Sequence, residues 1–335
     1  MAKKMSRALT MGLVLLLCLG IAGCSSSTVS TEALTEITLN EVAHSIFYAP
    51  MYVAIEEGYF EEEGISLTLV TGYGADKTMA ALLTGEADIG FMGSESTIYT
   101  YVEGTDDPVI NFAQLTQRAG NFIVAREPIE DFTYDMLIGS EVLAGRAGGM
   151  PQMVFEYVLD KYGIDKDTDI EMDQSIDFGS TAAAFSGGKG DFTVEFEPYA
   201  TGLELIGDGY IIASLGESSG YVPYTAFCAT SSYFEENGDS IESFTRAIQK
   251  GLDYTLSHTP EEIAEIIAPQ FSETDELTLT TIIERYYDQD TWPSDLVFSE
   301  ESFDLLQDIL ISSEVLEEKV AYDALVDTTY AEAVK

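Results

Sequence analysis

The sequence predicts an α/β protein of two lobes, each built on a mixed, mostly parallel sheet, with a cleft between the lobes. The chain has 335 residues, of which 46% are apolar, so it can bury two cores of ordinary size. Apolar segments of strand length alternate with helical ones, which is typical of sheets covered by helices. The alternation begins again near the middle of the chain and indicates a second sheet. In such sheets, ligands bind at the carboxyl ends of the strands. If the two lobes face each other, the loops at these strand ends line one shared cleft.

The first α/β unit runs from residue 37 to residue 115. Pro50 favours the first turn of a helix, and Gly85 is typical of a helix end. Residues 65–70 alternate apolar and polar side chains, as a strand does. The predicted strands are 37–42, 65–70, 87–91 and 109–115, and the predicted helices are 49–57 and 76–83.

The second unit repeats this order without repeating the sequence. Its predicted strands are 137–143, 170–174, 192–196 and 210–215, and its predicted helices are 151–162, 180–185 and 198–206. Residues 122–125 and 224–229 are candidate strands where the chain crosses between the lobes. From about residue 240 onward the pattern predicts helices alone, at 241–256, 260–267, 277–287 and 301–310. We expect them to pack on the first lobe, because a lone helical tail could not bury its apolar faces.

The N-terminus has the pattern of a secretory signal. Three basic residues precede an apolar stretch at 12–23, which ends at Cys24. The stretch is shorter than the roughly 20 residues of a permanent membrane span. Residues 21–24, Ile-Ala-Gly-Cys, resemble a bacterial lipobox, in which the cysteine becomes the lipidated N-terminus. We therefore predict a signal peptide at 1–23, lipidation of Cys24 and a Ser/Thr-rich tether at 24–35.

The remaining chain is expected to divide into two lobes. The first lobe comprises 36–122 and 225–335, including the helical tail, and the second comprises 123–224. Cys228 lies in an apolar run and is expected to be a small buried hydrophobe.

Composition excludes several functions. The formal net charge is −44, which would repel nucleic acids and anionic lipid surfaces. Two histidines and three cysteines leave too few ligands for a zinc site, and we predict no metal and no cofactor. We interpret the acidity as a solvated surface suited to salty or alkaline surroundings.

Three stretches resemble one superfamily of bacterial solute-binding proteins that serve ABC importers, those for nitrate, sulfonate and taurine and for pyrimidine precursors of thiamine. They are 48–65 (YAPMYVAIEEGYFEEEGI), 80–90 (AALLTGEADIG) and 195–200 (EFEPYA). The family patterns are P-x-x-V-A-x-x-x-G-x-F, L-x-x-G-x-A-D-I-G and W-E-P-Y-A. The resemblance implies a type II periplasmic-binding-protein-like fold. It also implies an extracytoplasmic receptor that delivers a solute to an ABC permease. Together with the predicted lipidation of Cys24, we expect a lipid-anchored monomer.

Candidate ligand-binding residues follow the predicted strands or precede helices, where aromatic, polar and glycine residues can face the cleft. They are Phe47, Tyr48, Tyr73, Ser94, Glu95, Gly149, Met150, Glu195, Glu197 and Tyr199. His44 lies at the same cleft mouth and is interpreted as a loop residue with satisfied hydrogen bonds.

The charged candidates leave the ligand open. Glu195 and Glu197 lie two apart and would share one face of a strand, which favours a ligand with N–H donors such as an aminopyrimidine. Glu95 favours the same class. Three cations could instead hold a sulfonate, taurine or nitrate: Lys77, Arg118 and Arg146.

The sequence carries no hydrolase, metalloprotease or nucleotide-binding signature, and we predict no catalytic residue. Eukaryotic thiamine-pyrimidine synthases resemble this superfamily, but their cysteine-rich signature is absent here. The alternatives of another class are an enzyme acting on a pyrimidine and a surface sensor or adhesin.

Overall fold

The computed structural model describes residues 33–145, 148–176 and 179–335. The predicted signal peptide, Cys24 and Arg146 lie outside these residues, as does most of the predicted tether. The strands of the described residues are β1 (Thr35–Glu41), β2 (Ile65–Thr71), β3 (Ile89–Gly93), β4 (Val109–Thr116), β5 (Asn121–Ala125), β6 (Glu141–Leu143), β7 (Glu171–Asp173), β8 (Phe192–Phe196), β9 (Tyr210–Ser214) and β10 (Thr225–Thr230).

The helices fall between these strands and after the last of them. They are α1 (Ala49–Glu56), α2 (Tyr59–Glu62), α3 (Ala75–Thr84), α4 (Glu95–Val102), α5 (Met150–Lys161), α6 (Thr181–Ser186), α7 (Tyr199–Ile206), α8 (Leu215–Ser219), α9 (Ser231–Glu236), α10 (Gly238–Ser257), α11 (Pro260–Ile267), α12 (Glu276–Asp288), α13 (Glu300–Ser312) and α14 (Thr329–Ala333). Short 3₁₀ turns occupy Ile46–Tyr48, Tyr134–Leu137, Ala268–Phe271 and Tyr322–Ala324.

The first sheet has the strand order β2-β1-β3-β10-β4. Strands β2, β1 and β3 are parallel, with Leu39 opposite both Leu69 and Ile89. Strand β10 is antiparallel to β3 and to β4. Strand β10 returns to the first sheet after the chain has passed through the second sheet, and it is the strand that makes the first sheet mixed.

The second sheet has the order β7-β6-β8-β5-β9. Strand β6 is parallel to β7 and β8, whereas β5 is antiparallel to β8 and β9. Each sheet thus combines parallel strands with an inserted antiparallel strand, and the prediction of two mixed sheets is confirmed. Strands up to residue 116 and β10 belong to the first sheet, and β5 to β9 belong to the second. The finer lobe boundaries stay a prediction.

One predicted strand is wrong in extent. Residues 137–143 were expected to form a single strand, but a 3₁₀ turn ends at Leu137 and β6 begins only at Glu141. Gly139 has a φ of +83°, which a strand does not contain, and its N–H donates to Asp169 O at 2.6 Å. The glycine therefore separates the turn from the strand.

The C-terminal helices cover α1 and its neighbours. Helix α10 packs against α1 and α2, and α11 packs against α1 and α12. Helix α12 also contacts the Ile46–Tyr48 turn, which immediately precedes α1. The helical tail thereby supports the segment that carries Phe47 and Tyr48.

Candidate functional site

A cavity of about 990 Å³ lies where the parallel strands of both sheets end. On the first-sheet side it is lined by residues that follow β1, β2 and β3. On the second-sheet side it is lined by residues that follow β6, β7 and β8. This is the position at which open α/β sheets bind ligands, and the volume is that of a small-molecule site.

Eight of the ten predicted site residues line this one cavity. They are Phe47, Tyr48, Tyr73, Glu95, Gly149, Met150, Glu197 and Tyr199. The loop after the first strand, the loop before α5 and the start of α7 are therefore brought together from distant parts of the sequence. His44 also lines the cavity.

Two predicted site residues, Ser94 and Glu195, do not line the cavity. Ser94 is buried, and its hydroxyl donates to Pro223 O at 2.6 Å. Glu195 lies within β8 and accepts hydrogen bonds from Thr193 at 2.6 Å and Thr181 at 3.1 Å. Burial raises the pKa of Glu195 to about 7. Its carboxyl group is part of the packing between β8 and α6, not of the cleft.

The predicted pair of cleft carboxylates is therefore wrong. Strand β8 ends at Phe196, so the alternation that would place Glu197 beside Glu195 stops one residue too early. Glu197 reaches the cavity wall, where its carboxylate accepts from Thr201 N at 2.9 Å and from the Thr201 hydroxyl at 2.8 Å. Arg285 of α12 also donates to it. Glu197 is thus a buried carboxylate whose charge is balanced.

Glu95 is a buried carboxyl group of the cavity with an oxygen that lacks such partners. It is the first residue of α4 and is only 6% exposed. Its Oε2 has no hydrogen-bond partner among the described residues. Burial raises the pKa of Glu95 to about 7, since ionisation is costly where water is excluded. A ligand with hydrogen-bond donors would provide the partner that Glu95 Oε2 lacks in the described residues.

The room for this carboxyl group comes from Gly93. A Cβ atom at position 93 would lie 2.2 Å from Glu95 Oε2, closer than any allowed contact. The glycine at the end of β3 therefore lets the carboxyl group fold back against the backbone. Glu95 begins α4 two residues after the end of β3, and in this position it lines the cavity.

Aromatic rings form the wall around this carboxyl group. The Phe47 ring lies 5.4 Å from Tyr48, 6.1 Å from Phe196 and 5.7 Å from Tyr224, measured between centroids. The Tyr224 hydroxyl is buried and has no partner among the described residues. The negative charge of Glu95 helps burial to raise the pKa of Tyr99 and of Tyr224. The wall suits a flat ring bearing a few polar groups.

Tyr99 and Tyr224 were missed by the sequence analysis. Tyr99 lies four residues after Glu95 on α4 and hence on the same helical face, a spacing that could have identified it. Its hydroxyl approaches Met153 Sδ of α5 at 3.6 Å, so it joins the two sides of the cleft. Tyr224 precedes β10 and has no comparable local signal.

Arg146 lies outside the described residues, and of the two predicted cations that the structure describes, Lys77 lines the cavity and Arg118 does not. Arg118 lies elsewhere, with its guanidinium 4.1 Å from the centroid of the Tyr221 ring. Lys77 lines the cavity from α3 and is exposed. An anion would therefore meet a solvated lysine, a weaker anchor than a buried cation.

Both ring nitrogens of His44 form hydrogen bonds within the protein. Its Nδ1 lies 2.9 Å from Glu41 Oε1, and its Nε2 lies 2.8 Å from Gln270 O. Both partners are acceptors, so both ring nitrogens donate in the charged form. The hydrogen bond to Glu41 is the main reason that the pKa of His44 is raised. His44 thus lines the cavity as a structural residue whose hydrogen bonds are already satisfied.

The arrangement defines the class of protein. Two mixed sheets whose parallel strands end at one shared cavity form a bilobed, periplasmic-binding-protein-like receptor for a small solute. A comparison with protein families gives a more specific assignment than this class. The NMT1/THI5 like family matches residues 46–263, and the chain belongs to it.

Two relatives support this assignment. The putative binding protein YtlA of Bacillus subtilis (strain 168) is 46% identical over 303 residues, covering 90% of this chain and 91% of that protein. The formylaminopyrimidine-binding protein of Halalkalibacterium halodurans is 24% identical over 287 residues, covering 81% of this chain and 84% of that protein.

The fold also matches solved structures. The alkanesulfonate-binding protein SsuA from Xanthomonas axonopodis pv. citri, bound to MOPS, has a TM-score of 0.70 and 17% identity. The match covers 89% of this chain and 100% of that chain. At this identity the likeness shows the fold alone, and it confirms the predicted fold class.

Both relatives are named as binding proteins and neither as an enzyme. The chain is therefore a solute-binding protein of the ABC-importer type, from an extracytoplasmic family. This confirms the resemblance and overturns the alternative of a pyrimidine-processing enzyme. In the part of the chain that the structure describes, no helix has the length and apolarity required to cross a membrane.

Proposed function

We propose that the protein captures an aminopyrimidine related to the precursors of thiamine and presents it to an ABC permease. The observation that carries this proposal is the buried, unpartnered oxygen of Glu95 within an aromatic wall. A buried polar atom without a partner is unfavourable by about 1–3 kcal/mol, and a ligand donor would remove that cost. A related protein that covers most of the chain binds formylaminopyrimidine by name.

An aminopyrimidine is complementary to a carboxyl group that shares one proton with its ligand. Such a ring offers an amino group that donates and an adjacent ring nitrogen that accepts. A carboxyl group with a pKa of about 7 can accept from the amino group and share one proton with the ring nitrogen. The rings of Phe47 and Tyr48 would cover its faces.

Sulfonate, taurine or nitrate is the second candidate class. It is favoured by Lys77 at the cavity and by the fold shared with alkanesulfonate-binding proteins. Against it, an anion would lie near Glu95 and would repel its ionised form. A buried anion site would also need cations that are less solvated than Lys77.

Binding would be coupled to closure of the cleft. A ligand that contacts both lobes stabilises the closed arrangement, which a permease can distinguish from the open one. About ten heavy atoms at roughly −0.8 kcal/mol each give about −8 kcal/mol, near micromolar affinity. We propose that the lobes comprise 36–122 with 225–335 and 123–224, as the membership of the sheets supports, and that the receptor is a monomer.

A thermal-shift screen tests the choice of ligand. We expect 4-amino-5-hydroxymethyl-2-methylpyrimidine and formylaminopyrimidine, at about 100 times their Kd, to stabilise the protein by about 2.7 kcal/mol. For a chain of this size that raises the Tm by roughly 4 °C. Taurine, ethanesulfonate and nitrate should leave the Tm unchanged. Stabilisation by the sulfonates alone would contradict the proposal.

The membrane anchor is the second part of the proposed function. We propose that Cys24 carries a lipid and holds the receptor at the outer face of the membrane. Replacing Cys24 by Ser should move the protein from the membrane fraction to the soluble fraction and abolish incorporation of labelled palmitate. Cell fractionation with immunoblotting measures the location, and detection of the label on the immunoprecipitated protein measures the incorporation of palmitate.

Cys228 provides the matched control for this experiment. It is fully buried in β10, where its Sγ lies 3.5 Å from Gly90 O. Cys228→Ser should therefore retain both the membrane location and the label. A Cys24→Ser protein that stays lipid-labelled would show that the anchor lies elsewhere.

A further inference from the structure

Helix α12 is fixed firmly in the body of the protein. Its buried face consists of Leu279, Ile282, Ile283 and Tyr286. The Tyr286 hydroxyl donates to Gly120 O at 3.2 Å, and its ring lies 5.1 Å from the ring of the cavity residue Phe47. Any group that α12 presents to the second sheet is therefore held at a defined position.

Arg285 of α12 is such a group. It donates to Glu197, to the Thr201 hydroxyl at 2.6 Å and to Glu204 Oε2 at 2.8 Å. Thr201 and Glu204 lie three residues apart on α7 and share one face of it, and Glu197 lies two residues before the helix begins. The side chain is 21% exposed and that of Glu197 is 0% exposed, so solvent screens this pair little.

The chain beyond Arg285 is bonded to the segment that connects the two sheets. Gln117 N donates to Thr291 O at 2.9 Å, and Gln289 Nε2 donates to Ala119 O at 3.2 Å. Residues 117 and 119 lie between β4 of the first sheet and β5 of the second. Arg285 thus connects the helical tail to α7 beside the place where the chain crosses.

We propose that Arg285 is a positioning residue with two linked effects on the cavity. It fixes the orientation of α7 relative to the first sheet, and it balances the charge of Glu197 at the cavity wall. Glu95 then remains the cavity carboxyl group that selects the ligand. The proposal rests on the ligand-binding role of the cavity and holds for any ligand bound there.

The first test uses the ligand-free, full-length protein. The backbone amide of Thr201 donates a hydrogen bond to Glu197. If the Glu197 carboxylate is no longer held by Arg285, it should move more freely and leave the Thr201 amide open to exchange. We expect Arg285→Met to accelerate amide hydrogen exchange at the start of α7 at least tenfold. Arg285→Lys, which keeps the charge but cannot reach all three partners, should give a smaller change in the same direction.

Arg246→Met is the matched control for the exchange experiment. Arg246 bonds Glu63 at 2.6 Å and Glu242 at 3.0 Å, away from α7. Its loss should leave the exchange of α7 unchanged. Unaltered exchange of α7 in both Arg285 variants would overturn the proposed fixing of α7.

The second test measures the charge balance at the cavity wall. We compare 4-amino-5-aminomethyl-2-methylpyrimidine, a cation, with the neutral 5-hydroxymethyl compound by calorimetry. Arg285→Met should shift the affinity ratio about tenfold towards the cation, because Glu197 then stands uncompensated. Adding Glu197→Gln should restore the original ratio, whereas simple loss of packing would not be reversed.

The outcomes separate this proposal from the choice of ligand. If the unaltered protein binds neither compound, the aminopyrimidine assignment fails, and the exchange experiment still decides the role of Arg285. If both compounds bind and the ratio is the same in Arg285→Met, the proposed charge balance is wrong while the ligand assignment stands.

Discussion

Replacing Glu95 by Met is expected to weaken aminopyrimidine binding at least 100-fold. Methionine has a similar length but cannot donate or accept in place of the carboxyl group. The amino group and ring nitrogen of the ligand would then be buried without partners, at a cost of about 1–3 kcal/mol each. Isothermal titration calorimetry measures the loss. Unchanged affinity would remove Glu95 from the binding site.

Glu95→Gln is the informative control for this substitution. A glutamine side chain can donate to a ring nitrogen and accept from an amino group, so it retains a pairing edge. We expect its affinity to lie within about tenfold of the unaltered protein at pH 7. If Glu95→Gln and Glu95→Met lose affinity equally, the ligand requires a negative charge and not the paired edge of an aminopyrimidine.

The two variants should also differ in pH dependence. In the proposed complex, the ring nitrogen of the ligand and Glu95 share one proton. Above pH 7 the free carboxyl group is ionised, since burial raises the pKa of Glu95 only to about 7. Binding must then take up a proton, and affinity should fall by up to tenfold per pH unit. Glu95→Gln should abolish this fall, because the amide does not titrate.

Glu95 gives the ligand-free protein a pH-dependent stability as well. Folding raises the pKa of Glu95 from 4.5 to about 7. The stability that the protonated carboxyl group contributes is therefore fully present below pH 4.5 and is lost as the pH rises through about 7. Glu95→Gln should therefore be more stable than the unaltered protein at pH 8.5, by about 3 kcal/mol. The difference should vanish near pH 4, as urea unfolding at the two pH values can test.

Most of the fold could be predicted because local rules determine it. Strand β8 lies at 192–196 as the pattern predicts, and Pro260 begins α11 as expected. The error at 137–143 has a local cause, since a glycine with positive φ can interrupt an apolar run. Composition alone does not say which glycines do so.

The site was less predictable because its chemistry depends on long-range partners. The position of Glu95 after a buried strand was readable, and so was its orientation towards a cleft. The pairing of Glu197 with Arg285 could not be predicted, because Arg285 lies in a helix far along the chain. Ser94 shows the same limit, since its partner is a backbone carbonyl that belongs to the returning chain.

Replacing Gly251 by Ala is expected to destabilise the protein by about 3 kcal/mol. Gly251 lies where α10 crosses α1, and a Cβ there would be 2.3 Å from Pro50 O and 2.8 Å from Ala54 Cβ. A backbone oxygen cannot move aside, so the helices must separate. The Tm should fall by roughly 5 °C in differential scanning calorimetry. Because α1 follows Phe47 and Tyr48, ligand affinity should fall as well.

Gly202→Ala is the matched control, because the same substitution in α7 has the opposite expected sign. No atom lies within 4 Å of a Cβ at position 202, and the residue is helical. Alanine is favoured over glycine in a helix by about 0.8–1.0 kcal/mol, so Gly202→Ala should raise the Tm slightly. A loss of stability at position 202, or none at position 251, would show that close contact between α1 and α10 does not determine the effect.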